Sequence, residues 1–143
     1  MIKITFAKIL SKNDVGETKS HQAGICIPKT YPELLGFFPA LDPEIKNDDE
    51  WIVCYDDNHK EWHFRYIYYN NKLHDPKGTR NEFRLTHMTN YLKSVGARSG
   101  DKLVLSKRVE GAYDIGIIHS NSLISESRIN LNKVKLQGWS RVH

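Results

Sequence analysis

No apolar run in the 143-residue chain is long enough to cross a membrane as a helix. The opening "MIKITFAKIL" alternates instead of forming the continuous apolar core of a secretory leader, so it reads as a strand. Cysteine is scarce. The two present, Cys26 and Cys54, lie on strand-like segments without metal-site spacing, as expected of reduced core residues in a cytoplasmic protein. There is no Gly-x-Ser-x-Gly, no phosphate loop and no Cys-x-x-Cys, which removes the hydrolase, nucleotide-binding and redox classes those motifs carry. His59 and His63 stand four apart, a zinc spacing on a helix, but they fall on a turn and a strand. Repeats, low-complexity tracts and linkers are also missing. A single domain over residues 1–143 follows, with a core of about 2–118 and an extension of 119–143.

Charge is present, and it is segregated. The net charge is +4 with a pI near 9.0. Residues 42–61 hold eight acids and two lysines, whereas residues 70–108 hold nine Lys or Arg and three acids. Such a chain presents one basic surface, suited to phosphate because each neutralised phosphate releases counterions.

Ile2, Ile4 and Phe6 alternate with Lys3 and Thr5 in a first strand running to about Leu10. The polar, glycine-bearing segment "KNDVGETKSHQAG" follows, then "AGICIP" as a second short strand, ended by Pro28. "TYPELLGFFP" predicts a short helix with Thr30 as cap and Pro39 as stop. "WIVCYDDNHKEWHFRYIYYNN" is a hairpin turning at Asp57-Asn58-His59, with Trp62, Phe64, Tyr66 and Tyr68 on a core face. "KLHDPKGTRN" is a second polar segment and "EFRLT" a strand. "THMTNYLKSVG" predicts a helix capped by Thr86, with Met88, Tyr91, Leu92 and Val95 inward and Gly96 closing it. "GDKLVLSKR" and "AYDIGIIH" form a closing hairpin, and the tail is either a final strand or an extension packed on the barrel. Mainly β structure follows: seven short strands and two short helices, in a mixed or antiparallel barrel with Trp51, Phe64, Leu92, Leu103 and Ile115 inside.

Two segments carry recognition chemistry. Arg80, Glu82 and Arg84 alternate at the start of a strand and therefore share a face. They are either a surface salt-bridge ladder or a donor–acceptor–donor set that reads bases. Arg forks onto guanine O6 and N7, and Glu accepts from the cytosine amino group. Lys77 precedes this set and Asn81 lies within it, and both are candidate DNA contacts. In the first segment Asn13, Asp14, Thr18, Lys19, Ser20, His21 and Gln22 can reach phosphates or bases, with Gly16 and Gly24 allowing close approach. Alone, His21 reads better as a satisfied turn histidine. "DPEIK" holds Glu44 and Lys46, the acid-x-Lys half of a metal-dependent nuclease site, but Pro43 and an Asn–Asp run argue against the strand such a site needs.

"SKNDVGETKSHQAGICIPK" together with "GTRNEFRLTHMTNYLKSVGARSGDKLVLSK" resembles the effector DNA-binding domain of EcoRII-type restriction endonucleases, over roughly residues 2–118. That domain has the seven-stranded DNA-binding pseudobarrel fold shared with plant B-three domains. The resemblance implies two arms, residues 11–22 and 72–84, that grip the DNA major groove. It places a base-reading His at His21 and an Arg-x-Glu-x-Arg set at Arg80, Glu82 and Arg84. Cys26 stands where some members carry an aromatic, and Phe83 where some carry a basic residue.

It further implies a type IIE effector module, non-catalytic in itself. Such a module binds a short G·C-containing site on double-stranded DNA as a monomer and acts allosterically on a fused nuclease domain. Any Mg²⁺ would belong to that nuclease, with no cofactor in this domain. Two alternatives stand beside this one: a stand-alone transcription-factor-like binder of the same fold, and a small metal-dependent nuclease using Glu44 and Lys46.

Overall fold

The computed structural model describes residues 3–17, 24–120 and 138–143. Its backbone is one eight-stranded mixed sheet curled on itself, in the order β2-β5-β4-β3-β7-β6-β1-β8. The strands are β1 (Ile4–Ile9), β2 (Ile25–Ile27), β3 (Asp49–Tyr55), β4 (Glu61–Tyr69), β5 (Glu82–Thr86), β6 (Lys102–Lys107), β7 (Tyr113–Ile118) and β8 (Trp139–Val142). The short helices are α1 (Pro32–Phe37), α2 (Asn71–His74) and α3 (Thr89–Ser94). All neighbouring strands pair antiparallel except β3 and β7. Among the described helices, none is long and apolar enough to cross a membrane.

Curling brings the two edge strands together. The indole Nε1 of Trp139 in β8 donates to the carbonyl of Cys26 in β2 at 2.9 Å, although the two strands share no ladder. Inside lie Phe6, Phe37, Phe38, Phe64, Tyr66, Tyr113 and Trp139, all buried. Phe38 stacks on Tyr66 at 4.8 Å, and Phe37 meets Phe6 and Tyr113 edge-on at 4.9 and 5.2 Å. The Tyr113 hydroxyl donates to the Phe37 carbonyl at 2.7 Å, so the phenol enters the core with its polar atom satisfied.

The strand count is one higher than the seven expected, because the tail contributes β8, which pairs with β1 from Thr5 to Lys8. Phe64, Leu92, Leu103 and Ile115 are buried as expected, but Trp51 is 52 % exposed. Successive side chains alternate across a strand, and Ile52 and Cys54 take the inward positions of β3, so Trp51 faces out. Thr86 does not cap α3. It ends β5, its hydroxyl donates to the Arg65 carbonyl at 3.2 Å, and His87 turns the chain at φ 67° before the helix begins at Thr89. α1 likewise has Tyr31, not Thr30, at its N-cap. The additional helix α2 lies inside the second polar segment. The tail residues between Ser120 and Gly138 lie outside the described residues.

Candidate nucleic-acid interface

The second polar segment leaves β4 at Asn70, which is fully buried. Its side-chain amide donates to the carbonyls of Pro43 and Ile45 at 3.1 and 3.0 Å, and its Oδ1 accepts from Asn47 N–H at 2.7 Å. Beyond this anchor the segment closes on itself. Lys72 N–H donates to the Arg80 carbonyl at 3.0 Å, and Arg80 N–H donates to Asn71 Oδ1 at 2.7 Å. Gly78 makes the closure possible, since a Cβ there would lie 2.1 Å from the Asn71 carbonyl oxygen. The result is a braced projection. Its lysines Lys72 and Lys77 are exposed and form no ion pair among the described residues.

The braced chain runs straight into Arg80, Glu82 and Arg84. Arg80 lays its guanidinium over the Tyr69 ring at 3.7 Å and donates from Nε to Glu82 Oε1 at 2.8 Å. Arg84 donates from Nε to Glu82 Oε2 at 2.9 Å and from Nη1 to the Gly24 carbonyl at 2.9 Å. Arg80, Glu82 and Arg84 therefore form a salt-bridge ladder. It does not exhaust the chemistry. An ionised carboxylate has about four acceptor sites, and Arg80 keeps both terminal nitrogens unbonded among the described residues. Desolvation raises the Glu82 carboxyl. The hydrogen bonds and charges of Arg80 and Arg84 outweigh it and hold the group below its ordinary value, ionised at neutral pH. The set is a fixed row of donor, acceptor and donor. Asn81, on the opposite side of the strand, accepts from the Tyr68 hydroxyl.

The first segment is described at its two roots. Ser11 and Asp14 cap each other, with Ser11 N–H to Asp14 Oδ2 at 2.9 Å and Asp14 N–H to Ser11 Oγ at 3.1 Å. Asp14 is turned inward. Its carboxylate accepts from Lys8 Nζ at 2.7 Å, and both side chains are less than a tenth exposed, so it braces the root. Glu17 accepts from Ser99 N–H at 2.9 Å where the chain departs. It returns at Gly24, φ 94°, beneath the Arg84 guanidinium. A Cβ on Gly24 would lie 2.5 Å from the Leu85 carbonyl oxygen, so the close approach this glycine permits is to β5 itself. Thr18, Lys19, Ser20, His21 and Gln22 lie outside the described residues.

Between the roots lies an open cleft of about 250 Å³, lined in part by Asn13, Gly24, Arg65, Tyr69, Arg80 and His87. Both segments expected to reach a partner therefore border one concavity. Arg65, Tyr69 and His87 were not singled out in the sequence. Arg65 and Tyr69 alternate on the outer face of the aromatic strand, a signal easily passed over beside its core face.

The Glu44–Lys46 pair has no such convergence. Lys46 Nζ bonds Asp75 Oδ2 at 2.6 Å, and Glu44 sits exposed in a turn where its N–H bonds Asp42. Among the described residues, no group of three His, Cys, Asp or Glu side chains is arranged to hold a metal ion.

A comparison with curated proteins finds no match. Among solved structures, the fold is similar to that of the Arabidopsis FUS3–DNA complex, with a TM-score of 0.61 and 23 % identity over 82 % of this chain and 98 % of that one. The family model described as restriction endonuclease EcoRII, N-terminal, matches residues 2–123, and the chain belongs to that family.

Proposed function

We propose that this domain binds double-stranded DNA sequence-specifically, through two arms entering the major groove, as the effector module of a type IIE restriction endonuclease. The observation that carries the proposal is the Arg80–Glu82–Arg84 row, which leads into β5 and faces outward beside the roots of both arms. Arg80 and Arg84 supply forks for guanine and Glu82 accepts from cytosine, which selects a short G·C-containing site. Lys77, Asn13, Thr18, Lys19, Ser20, His21 and Gln22 add phosphate and base contacts, while Asn81, turned to Tyr68 on the other side, steadies the row. Asp14 acts from beneath, by holding the first root.

Membership in the EcoRII N-terminal family supports this reading, as does the likeness to a fold seen in complex with DNA. The family also favours a fused nuclease domain over a stand-alone regulator. Binding is monomeric, since one domain carries both arms, and Mg²⁺ serves the nuclease domain alone. Selection of bound duplexes from a random pool tests the reading. A single short G·C-containing consensus is expected, and a pool that never converges would overturn sequence-specific binding.

A further inference from the structure

Trp51 and His87 belong to neither arm and meet on the outer face of the sheet. Trp51 is opposite Arg65 in register, and Arg65 is opposite Thr86. That row lies two residues along from the one containing Arg84 and Ile67, roughly 7 Å away at strand rise. Trp51 is the most exposed tryptophan of the described chain, at 52 %, whereas Trp139 is fully buried and Trp62 half-buried. Its indole N–H makes no hydrogen bond among the described residues, and its described ring contact is with His87 at 4.8 Å.

His87 is held in an unusual way. Its φ of 67° is left-handed, a conformation that costs a non-glycine residue free energy and persists where the surroundings enforce it. Its Nδ1 lies 3.0 Å from Thr86 Oγ1, which in turn donates to the Arg65 carbonyl. The ring is thus fixed from one side and set against Trp51 on the other. The neighbouring Asp49 carboxylate is neutralised by Arg65 Nε at 2.6 Å, so no unpaired charge at Asp49 would repel a phosphate there. His87 and Arg65 also line the cleft between the arms.

We infer that Trp51 is a third DNA-contacting element, packing its exposed ring on the sugar–phosphate backbone beside the recognition site and donating its indole N–H to a phosphate oxygen. His87 is its positioning residue. This inference rests on the DNA-binding reading above. A tryptophan suits the task because it offers an apolar face to deoxyribose and a polar edge to phosphate. The contact carries no sequence information, so it serves cognate and random duplexes alike.

The test measures acrylamide quenching of tryptophan fluorescence, with and without duplex, together with anisotropy titrations of labelled cognate and random duplexes. Wild type is compared with Trp51→Phe, Trp51→Ala and His87→Gly. Bound DNA should shield the quenchable signal that Trp51→Phe removes. Trp51→Ala should weaken both duplexes about tenfold, the size of one aromatic anchor. His87→Gly relieves the left-handed strain, so the melting temperature should not fall, yet affinity should drop and Trp51 should become more quenchable. If wild type binds DNA while Trp51 stays fully quenchable and Trp51→Ala binds as wild type, the inference is overturned and the DNA-binding reading stands. If wild type binds no duplex, both fall.

Discussion

The indole N–H of Trp139 donates to the carbonyl of Cys26 at 2.9 Å, and these residues belong to the two ends of the sheet. This bond helps turn an open eight-stranded sheet into a pseudobarrel, and it holds β2 in place. That strand carries the returning root of the first arm, and its Cys26 is opposite Arg84 in register.

Trp139→Phe removes the donor while keeping most of the buried ring. Losing this one hydrogen bond should cost about 0.5–1.5 kcal/mol in urea unfolding. A variant as stable as wild type would show that the edges stay closed without the bond.

The buried Lys8–Asp14 pair should behave differently from a surface ion pair. Both side chains are nearly inaccessible, so Asp14→Ala leaves an ammonium buried without its partner. The expected loss is about 3–5 kcal/mol, with substantial recovery in the Lys8→Met, Asp14→Leu double variant, where no charge remains to be paired. Equal stability of the single and double variants would argue that Lys8 finds water when its partner is removed.

Lys72 and Lys77 project from the braced second arm without ion pairs among the described residues. Each should contribute one phosphate contact. Lys77→Ala should weaken cognate and random duplexes together and reduce the slope of log K against log salt by about 1. A slope unchanged by Lys77→Ala would place that lysine off the DNA.

Much of this was legible in the sequence. Strict alternation over Trp62–Tyr69 predicts the core face of β4, because one residue of slip would bury Arg65 and expose Phe64, although Ile67 on the opposite face is buried as well. The Arg80–Glu82–Arg84 alternation predicted a shared face, and the structure places all three there. Other features escaped for physical reasons. "WIVCY" is a continuous apolar run, so nothing local says which parity faces in, and Trp51 lies on the outer side and not the inner one expected. For β8 the sequence leaves a final strand and a packed extension equally open, since it is four residues in a polar tail whose partner strand lies at the other end of the chain. Pairing at that separation leaves no local pattern. Lys8 and Asp14 are both polar, and their mutual burial is a tertiary event no spacing rule reports.

The Arg80–Glu82–Arg84 row leaves two consequences to separate. As a ladder only, Glu82 steadies two arginines. As a reading head, it also accepts from a base. Arg80, with its terminal nitrogens unbonded among the described residues, should be the stronger reader. Arg80→Ala should cost about 1–3 kcal/mol at the cognate site with little change on random DNA, the size of a lost bidentate base contact.

Glu82→Ala is the most direct test of sequence-specific recognition by this row. The measurement is its affinity for cognate, single-substituted and random duplexes at one salt concentration. Removing a carboxylate from a basic surface should leave random-duplex binding unchanged or stronger. Cognate binding should nevertheless fall, and discrimination at one G·C pair should relax. If cognate and random affinities instead shift together and the base preference survives intact, Glu82 is only the middle of a salt bridge, and the recognition account is contradicted.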